Sequence, residues 1–151
     1  MTGPGSTPDS SGAGPVAWLL SDFASRTPGV IETILVSADG FLLAQSSDDT
    51  TDVEQLAAII SGIISLTKGA AGIYGFAGVQ QVIVEMAGGY LFVMSVSDGS
   101  AVASLSSTTA DVGTVGYELT LLAERLGEVL SPEVMSSLKN VLVRPGDPAA
   151  P

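Results

Sequence analysis

Residues 80–106 read QQVIVEMAGGYLFVMSVSDGSAVASLS, and this stretch decides the fold. Gln80 to Met86 and Tyr90 to Val96 are rich in β-branched and aromatic residues, which suit a pleated, half-buried surface. Between them stand Ala87, Gly88 and Gly89, the composition of a tight hairpin turn. Asp98-Gly99 then supplies a second turn and Ala101 to Ser106 a third run. Three strands joined by short turns make an antiparallel meander.

On the amino-terminal side the same pattern recurs once. Ile31 to Val36 and Phe41 to Gln45 flank Ser37, Ala38, Asp39 and Gly40, where Asp-Gly provides the positive-φ position of a hairpin. The strand from Ile31 carries apolar side chains at both odd and even positions, which predicts a cover on both faces. Ser46 to Thr50 reads as a loop. Thr51 and Glu54 have the spacing of a capping box, in which each side chain satisfies a backbone amide at a helix start. The helix that follows carries Val53, Leu56, Ala57, Ile60, Ile63, Ile64 and Thr67, widened by Ile59 and Leu66, and Gly69 or Gly72 is expected to end it. Gly72, Gly75 and Gly78 punctuate a connector around Tyr74 and Phe76.

The two ends of the chain complete the order. Val16 to Arg26 forms a short helix through Trp18, Leu19 and Phe23, stopped by Thr27-Pro28-Gly29. Ser107 to Thr109 are read as the cap of a last long helix, Ala110 to about Leu130, whose Val112, Val115, Leu119, Leu122, Leu126 and Val129 recur at helical spacing. Ser131-Pro132 opens a short terminal helix through Met135, Leu138 and Val141. The fold class is α/β of the α+β kind: a single five-stranded, mainly antiparallel sheet in the order helix-strand-strand-helix-strand-strand-strand-helix, with helices on both faces. Residues 16–143 are expected to form one domain. The Gly, Ser and Pro of residues 1–15 and 144–151 bury too little to offset the entropy of ordering, so two disordered tails are expected.

Composition narrows the function. Hydrophobic residues make up 46% of the 151 and charged residues only 14%, and mean hydropathy is +0.47. A free monomer normally carries about a quarter charged residues, so part of the apolar area is expected in a subunit contact. The helix around residue 60 points to the place, because one face of a sheet cannot cover so wide a band. Its outer part, at Ile59, Ile63 and Leu66, is where a partner helix is expected.

Five basic residues stand against sixteen acidic ones, a net charge of -11, which repels phosphate backbones and anionic lipid. Nucleic acid is excluded as a partner, since Arg26, Lys68, Arg125, Lys139 and Arg144 are scattered. Direct membrane insertion is not expected either, and a cytoplasmic location is. The chain has no Cys and no His, which removes the thiol nucleophile, the usual general base and the commonest metal ligands. The acidic cluster Asp48, Asp49, Asp52 and Glu54 lacks the placed Gly and late Glu of a calcium loop. No Gly-x-x-x-x-Gly-Lys-Ser/Thr occurs, and Lys68-Gly69 sits at a helix end rather than a start. No catalytic residue, metal or cofactor is assigned. The chain reads as a binding module, not an enzyme.

Taken in order, Gly29-Val30, Asp39-Gly40, Phe41-Leu42-Leu43-Ala44, Leu56-Ala57 with Ile60, Val82-Ile83-Val84, Tyr90-Leu91-Phe92-Val93, the Leu105 strand and the helix Ala110 to Leu126 resemble the roadblock/dynein-light-chain domain family. The likeness is to its small bacterial form, similar to MglB and to roadblock proteins of actinobacterial GTPase operons. It covers about Val16 to Leu130 and implies a sheet with the central helix on one face and the first and last helices on the other. It also implies a homodimer that joins third strands and packs central helices. The implied interface residues are Leu56, Ile59, Ile60, Ile63, Leu66, Gln81, Val82, Ile83, Val84 and Glu85. The implied role is a regulatory or adaptor module that binds a small Ras-like GTPase, a sensor-kinase-like protein or both, with recruitment to the membrane through a partner. The alternative is a purely structural scaffold subunit without effect on nucleotide turnover.

Overall fold

A computed structural model describes residues 13–47 and 52–142. The expected tails, Thr51 of the capping box, and Asp48 and Asp49 of the acidic cluster lie outside the described residues, apart from residues 13–15. These begin the first helix, α1 (Ala13–Arg26), three residues ahead of the expected start. Pro15 is tolerated there because the first turn of a helix has no carbonyl partner for its amides.

Strands β1 (Val30–Val36) and β2 (Leu42–Gln45) form the first hairpin. Gly40 has φ 92°, the conformation the Asp-Gly turn calls for. Glu32 fixes the end of this hairpin, its carboxylate accepting bonds from the Ser46 amide at 3.1 Å, the Ser46 hydroxyl at 2.8 Å and the Ser47 hydroxyl. Helix α2 (Val53–Ile73) follows. The meander is β3 (Gln81–Met86), β4 (Gly89–Ser95) and β5 (Ala101–Ser107). Then come α3 (Val112–Val129) and α4 (Pro132–Leu142).

The strands lie in the order β2-β1-β5-β4-β3, every neighbouring pair antiparallel. β5 is the centre of the sheet and β3 is an edge. Two apolar cores form, one on each face. Leu20, Phe23, Leu35, Phe92, Leu119 and Leu126 belong to the core under α1, α3 and α4. Ile34, Val36, Ala57, Ile60, Leu91 and Val93 belong to the core under α2. Adjacent residues Ile34 and Leu35 thus enter opposite cores, as the mixed pattern of β1 requires.

Three further helix ends differ from expectation. At the start of α2 the cap is Asp52, at φ 65° and with no side-chain cap bond. At its end the chain passes Gly69 and Gly72 and stops at Gly75, whose φ is 70°. There the Gly75 amide bonds to Gly72 O at 3.2 Å and the Phe76 amide to Ala71 O at 2.9 Å. These two bonds are the Schellman pattern, which needs a left-handed residue at this position and leaves Gly69 and Gly72 as ordinary helical residues. At α3 the cap is Asp111 rather than Ser107 to Thr109, its carboxylate accepting from the Thr114 amide at 2.9 Å and hydroxyl at 2.6 Å. These bonds hold the Asp111 carboxyl below the usual carboxylate range.

Gly89 opens β4 where strands crowd. A Cβ there would lie 2.2 Å from the backbone oxygen of Ser106, a distance that only backbone movement relieves. Gly89→Ala is therefore expected to destabilise the domain by about 1–3 kcal/mol, read as a lower urea midpoint at unchanged slope. An unchanged midpoint would show that β4 and β5 part freely here.

Candidate interaction surface

β3 has a neighbour on one side only, β4, in the register Gln81↔Met94 to Met86↔Gly89. No strand among the described residues pairs with its other edge. Val82 and Val84 turn toward the α2 core and are half-buried. Gln81, Ile83 and Glu85 turn to the opposite face and are exposed. An exposed strand edge of this kind is a template for pairing with another chain.

Beside it, α2 packs only one side of its surface on the sheet, through Val53, Ala57, Ile60 and Ala71. Leu56 and Ile63 are half-buried at the boundary. The outer side carries Ile59, Leu66 and Ile73 at seven-residue intervals, 49%, 78% and 79% exposed. Gly62 and Gly69 stand between them with no atom within 4 Å of a hypothetical Cβ. Ile59, Gly62, Leu66, Gly69 and Ile73 therefore follow the alternating three- and four-residue spacing of a helix-pairing seam. The glycines allow a second helix to approach closely. No charged residue falls between Glu54 and Lys68, so nothing along this stretch must be desolvated as an ion on contact. α2 is also long and apolar enough to cross a membrane by length and composition. Only 17% of that stretch is buried inside the fold, so most of its apolar surface is open.

Ile60 differs from the other expected contact residues of α2: its side chain is fully buried on the sheet, where it supports the fold. A helix band read from sequence has no marked centre. Residues 59 and 60 differ by about 100° around the helix and only the sheet position separates them.

Further exposed residues extend the surface, of which Tyr74 and Phe76 are read from sequence as core or interface packing while Ile73 and Met86 are not singled out. Ile73, Tyr74 and Phe76 are 79%, 75% and 68% exposed, and Met86 is 43% exposed. The Tyr74 and Phe76 rings stack with centroids 5.9 Å apart. The signal that could have found Ile73 was the seven-residue spacing from Ile59 and Leu66, which the choice of Gly69 or Gly72 as the helix end cut short.

The ion pairs lie elsewhere. Arg26 meets Asp22 at 2.8 Å within α1 and Glu118 of α3 at 3.9 Å, and Lys139 of α4 meets Asp39 at 3.9 Å over the Phe41 ring. Among the described residues no group of three or more His, Cys, Asp or Glu is placed to hold a metal ion.

Comparison with known proteins gives a consistent result. The family model described as Roadblock/LC7 domain matches residues 16–106. A Roadblock/LC7 domain from Streptomyces avermitilis is 32% identical, with a TM-score of 0.69 over 73% of this chain and 92% of that one. MglB of Myxococcus xanthus is 16% identical with a TM-score of 0.71, over 76% of this chain and 94% of its own. The gliding protein MglB of Thermus thermophilus is 18% identical with a TM-score of 0.72, over 82% and 96%. At those identities the two MglB structures speak for the fold alone. No curated protein matches the chain.

Proposed function

The chain belongs to the Roadblock/LC7 domain family, and from that premise we propose that it is a non-enzymatic homodimeric module that regulates or adapts a small Ras-like GTPase, a sensor-kinase-like protein, or both. Residues 16–143 act as the module, in the cytoplasm, with any membrane contact made through a partner. The single observation that carries the reading is the open edge of β3 beside the uncharged seam of α2. Both surfaces are costly to leave in water, and a second copy covers both at once by a two-fold operation. The central helices then form a continuous raised face, wide enough for a globular partner. The 32% identity to a Streptomyces Roadblock/LC7 domain supports the family assignment, and the further placing among roadblock proteins of actinobacterial GTPase operons is part of the proposal.

The test has two stages. Sedimentation at micromolar concentration is expected to give a species of twice the 15.2 kDa chain mass, and a well-folded monomer would end the reading. The protein is then added to a small Ras-like GTPase of its source cell, with hydrolysis and nucleotide exchange measured separately. A changed rate is expected. Binding with both rates unaltered would mark a scaffold, and no binding to the GTPase or to a neighbouring kinase-like protein would leave the regulatory role without support.

A further inference from the structure

We propose that the groove between the end of α2 and the start of β3 is the seat for the β3–β4 turn of a second copy, with the partner's Met86 as the side chain that fills it. The proposal rests on the dimer reading above and adds to it a specific end-to-end contact. The groove is lined by Thr67, Ala71, Tyr74, Phe76, Val79 and Gln80. It is a built feature: the Schellman bonds place Phe76, and Ser95 holds the connector by its hydroxyl to Val79 O at 2.6 Å and its amide to Gln80 O at 3.1 Å.

Strand parity selects the occupant. Residues directly opposite in an antiparallel pair point to the same face, as Val82↔Val93 and Val84↔Leu91 do within this sheet. In a symmetric pairing of β3 with itself, the numbers of opposed residues must therefore add to an even sum. The two sums that keep most of Gln81–Met86 paired are 166 and 168. They place the partner's Met86 opposite Gln80 or opposite Val82. Even-numbered β3 residues share the α2 face, so both registers put Met86 on the face that carries Tyr74 and Phe76, at the end of the strand where the groove opens. A thioether against aromatic rings is a favourable contact, and the flexible Met side chain fits an irregular gap. The contact occurs twice per dimer.

The experiment is cross-linking of the full chain carrying Phe76→Cys and Met86→Cys together, treated with a short bis-maleimide. The natural sequence has no Cys, so only the introduced thiols react. Within one chain the length of β3, about 17 Å at the rise of an extended strand, keeps the two positions apart. At protein concentrations well above the weakened Kd of this double variant a covalent dimer is expected, and a Trp18→Cys, Met86→Cys control on the opposite layer is expected to stay monomeric. In parallel, Phe76→Ser and Met86→Ser are each expected to raise the dimer Kd at least about 10-fold, and the double variant to raise it by less than the product of the two. Both side chains are exposed in one chain, so the monomer's melting temperature is expected to hold. If the parent sediments as a dimer but no cross-link forms and the two effects multiply, this contact is refuted while the dimer stands. If the parent is a monomer, the dimer reading itself fails and takes this contact with it.

Discussion

Ile60→Ala is expected to lower the free energy of unfolding by about 2–5 kcal/mol, the range for emptying a fully buried aliphatic site. Ile59→Ala, one residue earlier on the same helix, is expected to change it by under about 0.5 kcal/mol, as for a surface position. The physical difference is orientation alone. Ile60 is 0% exposed and sits in the core with Ile34, Val36, Leu91 and Val93, where the sheet relaxes little around a cavity. Ile59 keeps half its surface in water, so truncation removes little that folding of one chain had buried. The measurement is urea unfolding in dilute protein, below the concentration at which association adds to apparent stability. A lower midpoint at the same slope is expected for Ile60→Ala only. Equal losses at both positions would mean that α2 is rotated about its axis from the orientation described.

Much of this architecture was legible in the residues, because each strand carries its own boundary signals. Asp39-Gly40, Ala87-Gly88-Gly89 and Asp98-Gly99 mark turns that the backbone requires, and the five strands appear between them at the expected places to within a residue or two. The mixed faces of β1 announced a two-sided cover, and two cores are present. What the residues hid was three-dimensional selection among equivalent local signals. Gly69, Gly72 and Gly75 are each able to end a helix, and only Gly75 is reached in a left-handed conformation. Thr109 and Asp111 both suit an N-cap, and the run of β5 through Ser107 leaves Asp111 as the residue at the helix start. Ser104 and Ser106 alternate with apolar residues as on a solvent-facing strand, yet both are buried beneath the α1 and α3 layer. Small polar residues there permit close helix packing that a binary pattern does not encode. The same limit applies to α2, where the division between an exposed Ile59 and a buried Ile60 depends on where the sheet lies.

Ile59→Asp is expected to raise the Kd for self-association by at least about 100-fold, while leaving the melting temperature of the isolated chain within a few degrees. In one chain a carboxylate at this half-exposed position remains hydrated and adds one charge to a protein already at -11. In a two-fold contact it appears twice, facing a seam of Ile, Gly and Leu in which the described α2 offers no cation before Lys68. Two desolvated carboxylates cost several kcal/mol even when each relieves part of the penalty by binding a proton. Protonation also sets the sign of the pH dependence. Burial disfavours the charged form, so the introduced carboxyl has a higher pKa in the dimer than in the monomer, and acidification restores association of the variant while the parent shows no such gain. Sedimentation of parent and variant at pH 7 and pH 5 checks both statements. A variant that associates like the parent at neutral pH would place the seam outside the interface, and the open edge of β3 would then have to be covered by some other chain.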